Sequence, residues 1–321
     1  MKEYEFLKII KNTLHDSSYI GDDCAYLKDL GIYVTQDSLV EGVHFNLSYM
    51  TPYQLGIKAV TVNISDLFAG ISTPAYITVG LSVPPTTDSK FIEELYRGIN
   101  DACLKYRATV IGGDLTGGEK VVISITAIGK KRAERLNHEV SRKFAEEDNF
   151  ILATGNFGAA AAGFYALEHN IPAPQKLIDA FLTPEARDFE SWKIMGQTNY
   201  DFAVSDTSDG LIETLFRIAE ASGVSMKLNY RDIPVLPEVR EFAKQNNLDE
   251  KEFVLWGGED YELIFSVKYW AFSAMDTSLF KYLGQVGAKT DNPTITIYDN
   301  KSSIVIDREM INKKSFDHFG G

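Results

Sequence analysis

Aspartates recur where short apolar runs end: Gly21-Asp22-Asp23, Val34-Thr35-Gln36-Asp37, Asn63-Ile64-Ser65-Asp66, Ile111-Gly112-Gly113-Asp114 and Val204-Ser205-Asp206-Thr207-Ser208-Asp209-Gly210. Carboxylates gathered at element ends repel one another unless hard cations lie between them, and all-oxygen ligation is what Mg²⁺ prefers. No histidine, cysteine or lysine cluster rivals them. The chemistry this points to is the handling of phosphate through bound metal ions.

Each motif also has a plain structural reading. Glycine and aspartate dominate turns for backbone reasons, so Gly21-Asp22-Asp23 reads equally well as a turn and Asp37 as a cap on the next element. Asp66 differs, because it sits inside a mostly apolar helical pattern beside Leu67 and Phe68, where a carboxylate needs a partner and a metal is one. In Ile111-Gly112-Gly113-Asp114 bare backbone lets N–H groups approach phosphate oxygens while the aspartate holds a bridging metal, although paired glycines also make ordinary turns. Ser208 or Asp209 can cap the helix after Gly210, and a helix N-terminus is also an anion site. Gly257-Gly258-Glu259-Asp260-Tyr261-Glu262 puts acids before an apolar strand, either on its solvent side or, as the glycines suggest, beside a ligand close to the backbone. His44, taken alone, reads as a surface or core residue.

These residues need elements to carry them. In the first 130 or so residues strands alternate with helices: Ile32 to Thr35 is β-prone, Pro52 to Phe68 has helical spacing, Ala75 to Val83 is a strand stopped by Pro84-Pro85, and Asp88 to Tyr106 is a clear amphipathic helix. Ala108 to Gly112 and Val121 to Gly129 complete an α/β unit. The polar, charge-dense stretch from Lys130 to Asp148 reads as a link. A second alternating series follows, with strands at Phe150 to Thr154, Phe202 to Ser205 and Glu262 to Val267, and helices at Ala159 to His169 and Gly210 to Ala221. Pro234 to Pro237 and Thr290 to Ser303 read as loops and hairpins. A chain of 321 residues exceeds the usual reach of one core, so two domains are expected, 1–137 and 138–321.

Composition is that of a soluble globular protein, with 45% hydrophobic and 24% charged residues. The net charge of -13 excludes nucleic acid as an expected partner, since a phosphate backbone needs a clustered basic surface. An acidic protein that binds a phosphate substrate must reverse the sign locally, which bound Mg²⁺ does. Cys24 and Cys103 are too few for a disulfide framework and lack zinc-ligand spacing. No apolar stretch reaches the roughly 18 residues of a membrane span. The start, Met1-Lys2-Glu3-Tyr4-Glu5, does not read as a signal peptide, so the cytoplasm is the expected location. There is no G-x-x-x-x-G-K-[ST] loop, no H-R-D with D-F-G, and no G-x-G-x-x-G. Nucleotide must be bound by carboxylate-held metals instead.

The motifs, in order and spacing, resemble the thiamine-monophosphate kinase family. Besides the aspartate runs, the resemblance is carried by Asp37 through His44-Phe45, by Lys58-Ala59-Val60-Thr61-Val62-Asn63-Ile64-Ser65-Asp66, and by Gly257 to Leu263, and it extends to Phe316-Asp317-His318-Phe319. It implies an α/β (α+β) fold of two domains like that of aminoimidazole ribonucleotide synthetase. In that fold the N-terminal domain binds ATP and metal and pairs its sheet with a second copy in a homodimer, and a C-terminal α/β domain completes the site.

The resemblance implies metal ligands at Asp23, Thr35, Gln36, Asp37, Asp66, Asp114, Asp206 and Asp209. It implies ATP contacts at Gly113, Asp114, Arg142 and Ser208, and thiamine phosphate contacts at His44, Glu259 and Phe316. Arg142 is placed by counting back from Thr154-Gly155; otherwise it is a solvated linker arginine. Two positions depart from the family pattern: Thr35-Gln36 stands for Ser-Thr, leaving Gln36 only its carbonyl or amide oxygen to offer, and Leu115 stands for a threonine.

The implied reaction transfers the γ-phosphoryl of ATP to thiamine monophosphate, giving thiamine diphosphate, with several Mg²⁺ ions. The acceptor is already an anionic oxygen, so no catalytic base or covalent nucleophile is expected, and direct in-line transfer suffices. The alternatives are a sister ATP-dependent cyclase of the same superfamily, which would differ in its acceptor pocket, and a non-catalytic nucleotide-binding module.

Overall fold

The computed structural model describes residues 2–132, 139–300 and 302–315. The first half runs α1 (Glu3–Thr13), β1 (Ala25–Leu27), β2 (Ile32–Val40), α2 (Pro52–Ala69), β3 (Ser72–Val83), α3 (Ser89–Tyr106), β4 (Thr109–Gly117) and β5 (Val122–Lys131). The second opens with β6 (Phe150–Ala153), α4 (Ala159–Glu168), α5 (Gln175–Leu182), α6 (Asp188–Met195), β7 (Ala203–Asp206) and α7 (Leu211–Ser222). It continues with β8 (Val224–Asn229), α8 (Pro237–Gln245), α9 (Glu250–Trp256), β9 (Leu263–Val267), α10 (Tyr269–Phe272), β10 (Lys281–Lys289), β11 (Ile295–Asp299), β12 (Ser302–Ile306) and α11 (Arg308–Lys314).

The first half forms a five-stranded sheet in the order β1-β2-β5-β3-β4, antiparallel except where α3 carries the chain from β3 to its parallel neighbour β4. Alternation decides its faces. Ile123, Ile125 and Ala127 of β5 and Ile77, Val79 and Leu81 of β3 are buried toward the helices, while Ser124 and Thr126 turn the other way. Against the buried face lies α2. Thr51 and Gln54 form its capping box, Pro52 supplies a preset first turn, and Leu55, Val60, Ile64, Leu67 and Phe68 are buried. Amphipathic α3 covers the rest; Asp88 caps it by accepting from Phe91 N–H at 2.8 Å. Truncating such a core side chain, as in Leu67→Ala, costs about 2–5 kcal/mol.

The second half carries a seven-stranded sheet, β12-β11-β8-β10-β6-β9-β7, filled by Ile151, Phe157, Leu215, Phe216, Met226 and Leu283. The two halves share a core. Ile64 and Phe68 of α2 belong to one buried cluster with Phe181, Ile194, Phe202, Val204 and Phe265. Ser191 Oγ donates to the Phe68 carbonyl at 2.8 Å, and buried Arg132 pairs with Asp188 at 2.8 Å. The changeover lies between Lys131 and Phe150, and the expected boundary at residue 137 lies outside the described residues. No helix among the described residues is long and apolar enough to cross a membrane.

Two expected strand ends are strand interiors. β2 runs past Asp37 to Val40, and β4 runs through Gly113 and Asp114 to Gly117. Gly113 serves strand pairing there: a Cβ on it would lie 1.9 Å from the Val79 carbonyl oxygen, so only glycine lets β4 approach β3.

Candidate active site

A cleft of about 720 Å³ lies between the halves, walled by β2, α2 and the Asp22-Asp23 turn on one side and by the loops at 206–210 and 256–261 on the other. Two of its lining residues, Asp23 and Asp66, form a carboxylate cluster with buried Asp206 behind them. Oxygens of Asp23, Asp66 and Asp206 lie within 4.8 Å of one another. Three separate elements deliver them: the turn before β1, the last turn of α2, and the end of β7. Small hydroxyls fix their orientation. Thr35 Oγ1 is 2.5 Å from Asp66 Oδ2, Ser65 Oγ donates to Asp206 Oδ2 at 2.5 Å, and Ser205 Oγ donates to Asp23 Oδ1 at 2.9 Å.

The cluster is electrostatically incomplete. Burial, reinforced by the charges of Asp37, Asp206 and Asp23, pushes the Asp66 carboxyl well above its usual range, and burial with Asp23 does the same to Asp206. Arg142 answers only part of this: its guanidinium meets Asp23 Oδ1 at 2.5 Å and Ser205 Oγ at 3.1 Å. Asp206 Oδ1 is buried with no hydrogen-bond partner. One guanidinium balances one of three carboxylates, and a divalent cation would balance the other two while occupying the orphaned oxygen. The donor set, all oxygen, fits a hard ion of the Mg²⁺ kind.

The Asp22-Asp23 turn is pinned rather than loose, with Asp22 accepting from Ser141 Oγ at 2.8 Å and from the Arg142 N–H at 2.8 Å. Asp37 lines the cleft, its own N–H donating to Asn63 Oδ1 at 2.9 Å. Gln36 turns its side chain to the opposite face of β2, where its amide oxygen accepts from Thr126 at 3.0 Å. Toward the cleft it therefore offers only backbone. Ser208 and Asp209 line the cleft at the approach to α7, and Asp209 pairs with Arg217 at 2.8 Å.

The acidic loop before β9 divides into three tasks. Glu259 lines the cleft; Asp260 accepts from the Gly158 N–H at 2.8 Å at the start of α4; Glu262 is buried against Thr154 Oγ1 at 2.6 Å and Arg187. The expectation of acids on a solvent face fails for Glu262, while the glycine pair lines the cleft and also makes a close protein contact. A Cβ on Gly258 would lie 2.5 Å from the Ser208 carbonyl, the group that accepts from the Glu259 N–H at 2.7 Å. Loops 206–210 and 257–262 are thereby stitched together.

His44 reaches the cleft, and its Nδ1 accepts from the Val40 N–H at 3.0 Å, which leaves the ring proton on Nε2. Gly113 and Asp114 do not line the cleft; β5 and β3 separate their strand from β2. Phe316 lies outside the described residues. The sequence alone does not single out Lys58, Ser65, Ser205, Arg217 or Trp256 as site residues. For Lys58 a signal exists: Lys58, Val62 and Asp66 recur at helical spacing, and Val62 and Asp66 both line the cleft.

Residues 21–130 match the family described as AIR synthase related protein, N-terminal domain. The chain is 31% identical over 338 residues to the thiamine-monophosphate kinase of Bacillus subtilis (strain 168), covering 99% of this chain and 100% of that protein. With the thiamine-monophosphate kinase of Aquifex aeolicus (strain VF5) it shares 32% identity over 271 residues, 82% of this chain and 85% of that one. Among solved structures, AaThiL complexed with AMPPCP and TMP superposes with a TM-score of 0.85 at 28% identity, covering 99% of this chain and 97% of that chain. The hydrogenase maturation protein HypE in complex with ATP, at 17% identity and a TM-score of 0.69 over 94% of each chain, shares the fold alone.

Proposed function

Because this chain belongs to the thiamine-monophosphate kinase family, we propose that it transfers the terminal phosphoryl group of ATP to thiamine monophosphate, giving thiamine diphosphate, with Asp23, Asp66 and Asp206 as the centre of the site. Its architecture is the aminoimidazole ribonucleotide synthetase-like one. The observation that carries the site assignment is the convergence of those three carboxylates, one of them with an orphaned oxygen, at a cleft shared by both halves that Asp23 and Asp66 line.

Asp23, Asp66 and Asp206, with Asp37, Asp209, the Thr35 hydroxyl and the Gln36 backbone beside them, are the groups that would hold Mg²⁺. Bound there, Mg²⁺ neutralises the phosphate charge that otherwise keeps two anions apart. The chain's own residues do the rest. Arg142 and Ser208 flank the cluster and hold the phosphates of ATP, with the N-terminus of α7 adding its positive end. His44 and Glu259, which line the same cleft, orient thiamine monophosphate so that its phosphate oxygen faces the donor. No side chain needs to remove a proton, since the attacking oxygen is already charged, and catalysis reduces to positioning and electrostatics.

Asp114 and Gly113 enter this reading through a second copy of the chain. Every residue of β4 is exposed, including Ile111 at 55% and Leu115 at 65%, so the strand is an open, partly apolar edge region that a partner can cover. A homodimer that lays this strand beside the partner's cleft brings Asp114 to the phosphates from across the interface. A cytoplasmic location, where ATP and Mg²⁺ are supplied, belongs to the same proposal.

The test is direct. Purified protein incubated with ATP, Mg²⁺ and thiamine monophosphate yields thiamine diphosphate and ADP in equal amounts. ADP release without the diphosphate, or no turnover at all, overturns the reading.

A further inference from the structure

Lys58 is an unusual lysine. Its side chain is fully buried, its Nζ lies 2.8 Å from Glu259 Oε2, and the same ammonium sits 3.6 Å from the centre of the Phe181 ring. Burial pulls its pKa below the usual lysine value, with Glu259 opposing the shift. A buried ammonium is tolerated only when paired, so this contact is a constraint on Glu259 as much as on Lys58. Glu259 and Phe181 both line the cleft, whereas Lys58 does not. Glu259 is further fixed by a left-handed backbone, φ 67°, and by its N–H to the Ser208 carbonyl.

Lys58 and Asp66 stand on the same face of α2, eight residues and therefore about 12 Å apart along its axis. One end of the helix face serves the carboxylate cluster. The other ends in the Glu259 carboxylate and the Phe181 ring, both within reach of the Lys58 ammonium; the Phe164 ring lies 5.1 Å from that of Phe181, and Trp256 also lines the cleft, an environment that suits a cationic aromatic ring.

We infer that Lys58 is a positioning residue that sets acceptor specificity: it holds the Glu259 carboxylate and the Phe181 ring in place as the subsite for the positively charged ring of the acceptor. The inference deepens the reading given above and rests on Glu259 facing the acceptor. Lys58 touches neither substrate. It acts from behind, by removing the freedom of a carboxylate that faces the cleft.

The experiment is steady-state kinetics on the full-length protein with Lys58→Met, Lys58→Gln, Glu259→Gln and the double variant Lys58→Met/Glu259→Gln. Lys58→Met is expected to raise the KM for thiamine monophosphate about tenfold while leaving kcat and the KM for ATP within about twofold. The double variant is expected to be no worse than Glu259→Gln alone, because both changes disable the same ion pair. An unchanged or lowered acceptor KM in Lys58→Met, additive effects in the double variant, or an equal loss toward ATP overturns the inference. If Lys58→Met does not fold, Lys58→Gln is held to the same outcomes. If Glu259→Gln itself leaves the acceptor KM unchanged, the assignment of Glu259 fails. If only the Lys58 variants do, the assignment stands and the inference falls.

Discussion

Asp37 and Gly113 lie on one cross-strand row of the first sheet, joined through Ile125 and Val79 and thus three strand spacings, about 14 Å, apart. The next residue, Asp114, therefore does not share an ion with Asp37 of its own chain, and the proposed dimer brings the two together from different subunits.

Subunit mixing tests this. Asp66→Ala and Asp114→Ala proteins are each expected to be nearly inactive. After unfolding and refolding together, an equal mixture should recover about a quarter of wild-type activity, because half the dimers are mixed and each mixed dimer holds one intact site. No recovery means that both aspartates serve the site of their own chain.

Asp206→Asn should separate stability from function. It removes a charge that burial and Asp23 oppose, so in EDTA the variant should be more stable than wild type by about 1 kcal/mol or more, read as a higher Tm. Turnover should fall by about a hundredfold or more. Adding Mg²⁺ should raise the Tm of wild type and leave that of the variant unmoved.

Gly258→Ala places a methyl group 2.5 Å from the Ser208 carbonyl and must part the two stitched loops. A loss of about 1–3 kcal/mol is expected in urea unfolding. The same change should raise the KM for both substrates, since Ser208 and Glu259 lie on opposite sides of that stitch. A normal KM for ATP would show that Ser208 is placed independently.

Asp260 gives a pH dependence with a definite sign. Burial pushes its carboxyl up to about 8 against the pull of the Gly158 and Ala160 N–H groups. The folded protein then holds this proton more tightly than the unfolded chain. The associated stability is complete below the ordinary carboxylate pKa, is lost as pH rises toward 8, and changes little above that. Asp260→Asn should flatten this component. The fall in unfolding free energy between pH 5 and pH 9 should then be a few kcal/mol smaller than in wild type, because each tenfold difference in proton affinity between the folded and unfolded chain is worth about 1.4 kcal/mol. Equal slopes in the two proteins would sink the assignment.

The acids that form the cluster are readable from the sequence because Asp23, Asp66 and Asp206 stand next to apolar runs, where an unpartnered charge is costly. Asp114 looks equivalent to them in the sequence yet lies outside the cleft of its own chain, since a Gly-Gly-Asp run looks the same at a strand end and in a strand that needs glycine to approach its neighbour. Lys58 lies inside a recognisable motif, but lysine in a helix ordinarily reads as a solvated face, and only the packing of Phe181 and Glu259 from the second half buries it. β10, with Gly284, Gly287 and two lysines at its ends, has weak strand propensity; pairing with both β6 and β8 makes it a strand. Its pairing with β6 joins residues more than a hundred positions apart and leaves little local trace.

The apolar cluster that runs unbroken from Phe68 to Phe181, Phe202 and Phe265 has a mechanical outcome. Prying the cleft apart would expose that shared interior to water, a cost that opposes any hinging of its walls. Heating or denaturant should accordingly melt both sheets in one step, and a chimera that trades one half for a relative's would fold only if the borrowed seam matched.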